Sequence, residues 1–202
     1  MILRVVSGTI PAGRLEDVVD AYQQTYVPIA RKAAGLDLFV VASRPSKQVD
    51  HELAAMTIWR TLDAALEAYA GNLTAVRTLD DRSHGETLSR VDFFEIDEGG
   101  ARRLTGSATR LRLTAGKVAR GLDADIQQEL RRRLPELPAE VIGAWVGRRV
   151  LGADVEIALV TTWSTTPAGV ALDAPIWPSI SDRYDAFRVS VYDIFAEGSG
   201  VA

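Results

Sequence analysis

The 202-residue sequence contains no cysteine, and this absence excludes several classes of chemistry together. Without thiols the chain has no disulfide bond, thiolate nucleophile, iron–sulfur cluster or cysteine-ligated zinc. Its two histidines, His51 and His84, are accompanied by no HxH, HxxxH or carboxylate cluster. Because phosphate-binding loops and serine-hydrolase patterns are missing as well, we expect neither a metal nor a cofactor.

Long apolar runs and dense positive charge are also scarce. No run approaches the about 20 apolar residues that span a bilayer. The N-terminus, MILRVVSGTIPAG, has no basic leader and alternates like a strand, which is not typical of a signal peptide. The net charge of −4 gives no general attraction to nucleic acid or anionic membrane. We therefore expect a cytoplasmic protein that binds neither.

The first half of the chain alternates strands and helices in the order βαββαβ. Strands are predicted at Leu3 to Ile10, Asp37 to Ser43, Glu52 to Trp59 and Val91 to Ile96. Apolar residues repeat at helical spacing from Arg14 to Ala34, and Pro28 should kink this helix or separate its final turn. After Trp59, the Thr61 hydroxyl is placed to cap a second helix that runs to about Ala70.

The second half repeats this order in a more divergent form. Strands are predicted at Thr109 to Leu113, Val141 to Val150, Val155 to Trp163 and Val189 to Phe195. Asp123 is expected to cap a helix with Ile126, Leu130 and Leu134 on one face. Trp163 follows Trp59 by 104 positions, and Arg148 follows Arg44 by the same 104. An offset of about half the chain that is kept across a strand pair indicates a duplication.

The two halves differ most after the Trp that ends the third strand. The first half continues into a plain helix, whereas residues 165–187 contain Pro167, Pro175 and Pro178. Trp177 and Tyr184 in this segment have two interpretations. They could belong to a lid over a pocket, or the prolines could simply stiffen a long surface loop. The sequence slightly favours the surface loop.

The predicted fold class is α+β, with two ferredoxin-like βαββαβ units. The first covers residues 1–98, a linker covers residues 99–107, and the second unit covers residues 108–202. A four-stranded antiparallel sheet with helices on one face leaves its other face apolar and bare. We expect the two bare faces to pack together as a pseudo-dimeric α/β barrel within one chain. A further homodimer is left open.

These elements resemble a known family. A strand-PAG-helix sequence at Val5 to Leu15, and a strand that ends in MTIW immediately before a helix, resemble the dimeric α/β-barrel superfamily. Within it, the antibiotic-biosynthesis-monooxygenase-like (ABM) group is the most similar. The resemblance covers nearly all of residues 1–98 and, more loosely, 108–197. It implies a small apolar cavity between sheet and helices.

Known members include cofactor-independent monooxygenases and haem-degrading enzymes. The haem-degrading branch has an Asn on the first strand, a Trp at the end of the third and a His on the next helix. Trp59 matches the Trp, but the other two groups are missing from the first strand and from the helix after Leu62. Haem degradation is therefore disfavoured.

The candidate pocket residues are Trp59, Tyr22, Tyr26 and Trp163. Either Trp could stack on a flat substrate, or fill the seam between strand and helix, which is the favoured interpretation. Tyr22 and Tyr26 lie four residues apart on the inward helix face, where two phenols would suit an aromatic substrate. Their alternative is a core position with the hydroxyls at the rim. No general base is evident, so the catalytic residues stay unassigned.

The leading hypothesis is a cofactor-independent monooxygenase that acts on a small aromatic or polyketide-type molecule. In such an enzyme the substrate loses a proton and its carbanion reacts with O2, so the protein supplies a dry cavity and a few donors. The alternative is a non-catalytic barrel that binds a small ligand or responds to stress. Haem binding without degradation is a third, weaker hypothesis. Whether the protein is an enzyme is left open.

Overall fold

The computed structural model describes residues 1–47, 50–68, 87–102, 106–119, 121–150, 154–165 and 174–199. Contacts divide the chain into two compact units. The first unit comprises Met1–Asp92 with Ile194–Ala202, and the second comprises Phe93–Asp193. Strands pair antiparallel within each unit, and helices are few and short, so the mixed α and β class that the sequence predicts is confirmed.

The sheet of the first unit is built around a central hairpin. Its strands are β1 (Ile2–Ile10), β2 (Leu36–Pro45), β3 (His51–Trp59) and β4 (Thr87–Glu95). They lie in the order β4-β1-β3-β2, and β9 (Ala186–Gly198) follows next to β2. Thr57 on β3 lies opposite Arg4 on β1 and Phe39 on β2. The predicted hairpin of the second and third strands is confirmed.

The long helix predicted from Arg14 to Ala34 is divided into three parts. They are α1 (Leu15–Ala21), a π-helical stretch (Tyr22–Tyr26) and α2 (Val27–Ala30). Pro28 lies in the first turn of α2, where its missing N–H is tolerated, and the π-helical stretch before it separates this final turn from α1. The predicted separation of a final turn at Pro28 is therefore confirmed.

A second helix, α3, covers residues 62–68. The Thr61 hydroxyl accepts a hydrogen bond from the Ala64 N–H at 3.2 Å, which confirms the predicted cap. The predicted end of this helix at Ala70 and the loop that contains His84 lie outside the described residues.

The second unit repeats the central hairpin. Its strands are β5 (Ala101–Arg102), β6 (Arg110–Lys117), β7 (Val141–Arg149) and β8 (Glu156–Trp163). They lie in the order β9-β6-β8-β7-β5, and the last residues of β4 also pair with β7. The predicted linker at residues 99–107 is thus partly strand, because Ala101 and Arg102 pair with β7.

The helices of the second unit are α4 (Asp123–Arg133), a 3-10 turn (Leu134–Glu136) and α5 (Pro178–Ser181). Ile126, Leu130 and Leu134 are buried as predicted. The predicted cap at Asp123 is wrong, because Leu122 is the capping residue and makes no side-chain cap bond. The Asp123 carboxylate instead accepts a hydrogen bond from Arg148 at 2.7 Å. A guanidinium is a stronger partner for a carboxylate than a backbone amide.

The compact units also differ from the predicted boundaries at the end of the chain. β9 is 13 residues long, so its first part pairs with β6 while its last residues belong to the first unit. Phe195 and Ala196 lie in a core cluster with Val6, Val18 and Tyr22. The packing of the two sheets as a pseudo-dimeric barrel stays a prediction.

The two halves that repeat in sequence also repeat a hydrogen bond between a tryptophan and a threonine. Trp59 donates its indole N–H to the Thr57 hydroxyl at 2.8 Å, and Trp163 donates to Thr161 at the same distance. Thr161 follows Thr57 by 104 positions, the offset of the two tryptophans. A buried arginine lies opposite each threonine, Arg4 in the first unit and Arg112 in the second.

In the part of the chain that the structure describes, no helix has the length and apolar character needed to cross a membrane.

Replacing Thr161 with Val should lower the free energy of unfolding by about 1–3 kcal/mol, because the buried Trp163 N–H loses its acceptor. Thr162→Val is the matched control. Thr162 is also buried, but its hydroxyl has no hydrogen-bond partner among the described residues. Urea denaturation of both variants measures the difference. An equal loss of stability in the two would contradict the assigned role of Thr161.

Candidate functional site

A cleft in the second unit opens on the face of the sheet that the helices cover. Leu159 and Trp163 on this face pack with Ile126 and Leu130 of α4. The cleft is small, with a cavity volume of about 20 Å3, which is room for about one water molecule, and it is open to solvent on one side. The sheet contributes Arg112, Thr114 and Leu159, and the remaining walls are Leu130 and residues of the segment 175–187. We call this space the second-unit cleft.

Arg112 is the charged group of the second-unit cleft. Only 1% of the residue is exposed, and its guanidinium donates to the Thr114 hydroxyl at 2.6 Å and to the Ala174 carbonyl at 2.8 Å. Burial lowers the pKa of Arg112 to about 10, which still leaves it charged at neutral pH. A positive charge held away from water acts on neighbouring groups more strongly than one in solvent.

Aromatic residues form much of the opposite wall. The rings of Tyr184 and Phe187 lie 5.3 Å apart between centroids, and the Arg133 guanidinium carbon lies 6.0 Å from the Trp177 ring centroid. Burial raises the pKa of the Tyr184 phenol, and the charge of Arg183 opposes this only partly. Tyr184 is therefore a neutral hydroxyl at physiological pH. Trp177 and Tyr184 both line the cleft, and a lid role for their segment stays a prediction.

Gly116 allows Tyr184 to lie against strand β6. A Cβ atom at Gly116 would be 2.3 Å from Cδ1 of Tyr184 and 2.5 Å from the carbonyl oxygen of Ala186. Both distances are shorter than any normal contact, so only a residue without a side chain fits. Gly116 thereby positions one wall of the cleft.

The polar atoms of the cleft can bind and orient a ligand. They are the Arg112 guanidinium and the hydroxyls of Thr114, Ser181 and Tyr184. Among the described lining residues there is no carboxylate or imidazole to act as a general base. The described residues also contain no group of three or more metal-binding side chains. The arrangement is suited to stabilising negative charge on a bound molecule.

The structure brings the two predicted phenols together in the first unit. The ring centroids of Tyr22 and Tyr26 lie 5.3 Å apart, and Tyr26 meets Phe39 edge-on at 6.1 Å. Burial raises the pKa of Tyr26, while the charge of Arg4 acts in the opposite direction. Since Arg4 and Phe39 both lie opposite Thr57, the Tyr26 phenol is in the region of the repeated arginine–threonine pair.

The two predicted tryptophans lie in the cores of their units. Trp59 is 2% exposed and Trp163 is 1% exposed, and the N–H of each is bonded to a threonine of its own strand. These contacts favour the interpretation that both fill the seam beneath the helices. Trp163 packs in the same core as Leu159 but is not among the residues that line the second-unit cleft. A contact of either with a ligand stays a prediction.

Arg112 and Thr114 were missed by the sequence reasoning, although the strand RLRLTAGK carries a signal. Side chains alternate between faces along a strand, so Arg110, Arg112 and Thr114 share one face while Leu111 and Leu113 share the other. An arginine inside an apolar alternating strand is unusual unless its charge is used. Attention to that alternation would have identified Arg112 as a candidate.

Comparison with known proteins identifies the fold. A "putative monooxygenase" from Fusobacterium nucleatum subsp. nucleatum has a TM-score of 0.76 at 9% identity, over 98% of this chain and 94% of that chain. A second "putative monooxygenase", from Lactobacillus acidophilus NCFM, has a TM-score of 0.70 at 9% identity, over 98% and 95%. An anthrone oxidase-like protein has a TM-score of 0.63 at 11% identity, over 98% and 92%.

The chain therefore shares the fold of these three proteins over nearly its whole length. Sequence identities this low show the fold alone. No family model matches the sequence, and no curated protein matches it.

Replacing Gly116 with Ala should lower the free energy of unfolding by about 1–3 kcal/mol, because the new methyl group overlaps Tyr184 and the backbone at Ala186. A double-mutant cycle with Tyr184→Ala, measured by urea denaturation, separates the two overlaps. Removing the ring should recover part of the loss. No coupling between the two substitutions would contradict the role of Gly116 in positioning Tyr184.

The raised pKa of Tyr184 predicts a loss of stability at alkaline pH. The folded state holds the phenolic proton more tightly than the unfolded state does, so this contribution is complete below pH of about 10 and is lost as pH rises above it. Tyr184→Phe should therefore show a shallower decrease of unfolding free energy above that pH than the parent protein. Identical slopes would show that the phenol is not buried.

Proposed function

We propose that the protein is a monooxygenase-like enzyme that oxygenates a small aromatic or polyketide-type molecule without a cofactor, with Arg112 at the second-unit cleft as the group that stabilises negative charge on the substrate. The observation that carries this proposal is the charged, buried Arg112 in the wall of an otherwise largely apolar and aromatic cleft. The monooxygenase-like fold supports it.

The chemistry begins with the loss of a proton from a carbon next to a carbonyl or phenol-type oxygen of the substrate. The electron pair left on the substrate forms a bond to O2, which gives a hydroperoxide. Elimination of water then converts the original CH2 group to a carbonyl, so one oxygen atom enters the product and the other leaves as water.

Arg112 serves the first of these steps. Its charge stabilises the enolate oxygen and so lowers the pKa of the bound carbon acid. The Tyr184 phenol, neutral at physiological pH, adds a hydrogen-bond donor to the cleft. The described lining residues include no carboxylate or imidazole, so the proton acceptor is left unassigned.

The lack of a carboxylate or imidazole among the described lining residues also fits the second candidate, a non-catalytic protein that binds the same class of molecule. Such a protein needs the charge and the aromatic walls but no proton acceptor. Haem binding is a third candidate, and a titration followed at the Soret band tests it directly.

We also propose that the chain is a tandem of two ABM-like, ferredoxin-like units that arose by duplication. The Trp–Thr hydrogen bond and the facing buried arginine recur in both units, which supports this origin. The second unit has diverged most after Trp163, in the segment that supplies the aromatic wall of its cleft.

Oxygen uptake with anthrone and related acidic phenolic ketones tests the proposed reaction. We expect one oxygen-18 atom in the product when the reaction is run under oxygen-18 gas. Arg112→Met should lower kcat/KM by about 100-fold or more, as the loss of one oxyanion-stabilising donor does in other enzymes. Arg110→Met is the matched control, because Arg110 is on the same strand but is more exposed and pairs with Asp193.

Two results would contradict the proposed monooxygenase activity. Binding of these compounds without oxygen uptake would replace the monooxygenase by the non-catalytic binding protein. A Soret shift with equimolar haem would favour the third candidate.

A further inference from the structure

We infer that residues 174–183 form a strap that closes the second-unit cleft over Arg112 and opens, while the sheet stays folded, to expose the guanidinium. With the strap closed, the cavity volume is about 20 Å3, which is room for about one water molecule. An organic substrate therefore reaches Arg112 only when the strap is open. The inference rests on the proposed function for its purpose, but it is tested without measuring oxygen uptake.

The first support is that Arg112 joins the strap to the sheet. One of its terminal nitrogens donates to the hydroxyl of Thr114 on the same strand at 2.6 Å. The other donates to the carbonyl of Ala174 in the strap at 2.8 Å. Because a guanidinium is planar and its donor directions are fixed, it holds both acceptors together only while the strap is closed.

The second support is the pattern of backbone hydrogen bonds. The N–H groups of Ile180, Asp182 and Arg183 each donate to a carbonyl of the strap itself. Among the described residues, the first backbone bond from the end of the strap to the sheet runs from the Asp185 N–H to the Lys117 carbonyl, at 2.9 Å. Opening of the strap therefore leaves the ladder of the sheet intact.

The end of the strap is fixed just before that bond. The Tyr184 ring lies so close to Gly116 of β6 that a Cβ atom there would be 2.3 Å from the ring. This contact and the backbone bond of Asp185 hold the chain against β6. The geometry thus places a hinge between Arg183 and Tyr184.

The third support is the small number of buried side chains in the strap. Ile180 is its one buried residue, whereas Ile176 and Trp177 are only partly buried where they pack against the same core. The Arg133 guanidinium carbon lies 6.0 Å from the Trp177 ring centroid and adds a contact at the surface. Segments with few buried apolar contacts open at a lower free energy than the core beneath them.

The fourth support is the hydration that Arg112 gains when the strap opens. In the closed state only 1% of the residue is exposed, and removing a guanidinium from water is costly. Water that enters the open cleft replaces the Ala174 carbonyl as an acceptor and hydrates the charge. This gain offsets part of the contacts that opening breaks.

Hydrogen exchange of the full chain, followed by NMR at increasing urea below the unfolding transition, tests the opening. A single helical turn does not keep its hydrogen bonds once it is detached, so the amides of Ile180, Asp182 and Arg183 should exchange together. We expect their shared open state to be at least about 100-fold more populated than the globally unfolded state that exchanges the amides of β6 and β8. Exchange of strap and sheet amides with the same free energy would overturn the inference.

Fraying of α5 with the cleft still closed gives a different result, because the Ile180 side chain then stays in the core. The chain contains no cysteine, so a single introduced thiol is the only one to react. Ile157 on β8 is buried in the same core cluster and is the matched control. A thiol reagent should label Ile180→Cys at least about 100-fold faster than Ile157→Cys without urea. Equal labelling rates, or strap amides that exchange at unrelated rates, would overturn the inference.

Substitution of Arg112 tests whether its two hydrogen bonds keep the strap closed. Arg112→Lys keeps the charge, but one ammonium nitrogen does not span two acceptors as the guanidinium does. The population of the open strap should rise about tenfold relative to the opening of the sheet amides. Arg110→Met should leave this difference unchanged, because Arg110 pairs with Asp193. An equal loss of protection in the strap and the sheet would mean general destabilisation and would overturn the role of Arg112.

Failure of the inference and failure of the proposed function give different results. Selective opening of the strap without oxygen uptake keeps the inference and removes the monooxygenase. Oxygen uptake by a protein whose strap opens only on global unfolding keeps the monooxygenase and removes the inference.

Discussion

Each unit depends on a tryptophan that bonds to its own strand. Trp59 and Trp163 end the central strands β3 and β8, and each donates its N–H to the threonine two residues earlier. This bond satisfies the polar atom of the largest side chain in the seam, so the ring can be buried almost completely. The threonine in turn lies opposite a buried arginine on the neighbouring strand. In the second unit this arginine, Arg112, lines the cleft.

In the second unit, the buried Arg112 opposite the repeated threonine makes this region a candidate functional site. Burial of a guanidinium is costly unless its donors are used, and Arg112 uses them on Thr114 and on the Ala174 carbonyl. The second contact reaches the segment that also carries Trp177 and Tyr184. The same charge that needs these oxygens for stability is the group for which we propose a role at the substrate. In the first unit, Arg4 instead acts on the phenol of Tyr26.

Local patterns in the sequence predicted most of the elements and fewer of the contacts. Apolar periodicity located the hairpins and the buried face of α4, and local chemistry located the Thr61 cap and the break at Pro28. Asp123 was misassigned because its partner Arg148 is 25 residues away, and no local pattern shows such a choice. The cleft itself joins β6 to a segment some 60 residues later, as the contact from Arg112 to Ala174 shows. Contacts at that separation depend on the fold.

The length of β9 has a consequence for the order of folding. Phe195 and Ala196 belong to a core cluster whose other buried members lie between Val6 and Ala55, and Val91 packs against them as well. A ribosome makes those early residues long before it reaches Phe195. The first unit therefore lacks its last core side chains until the whole second unit has been synthesised. Nascent chains of this protein have an incomplete first core until Phe195 and Ala196 have been synthesised, and this cluster can close only after that point.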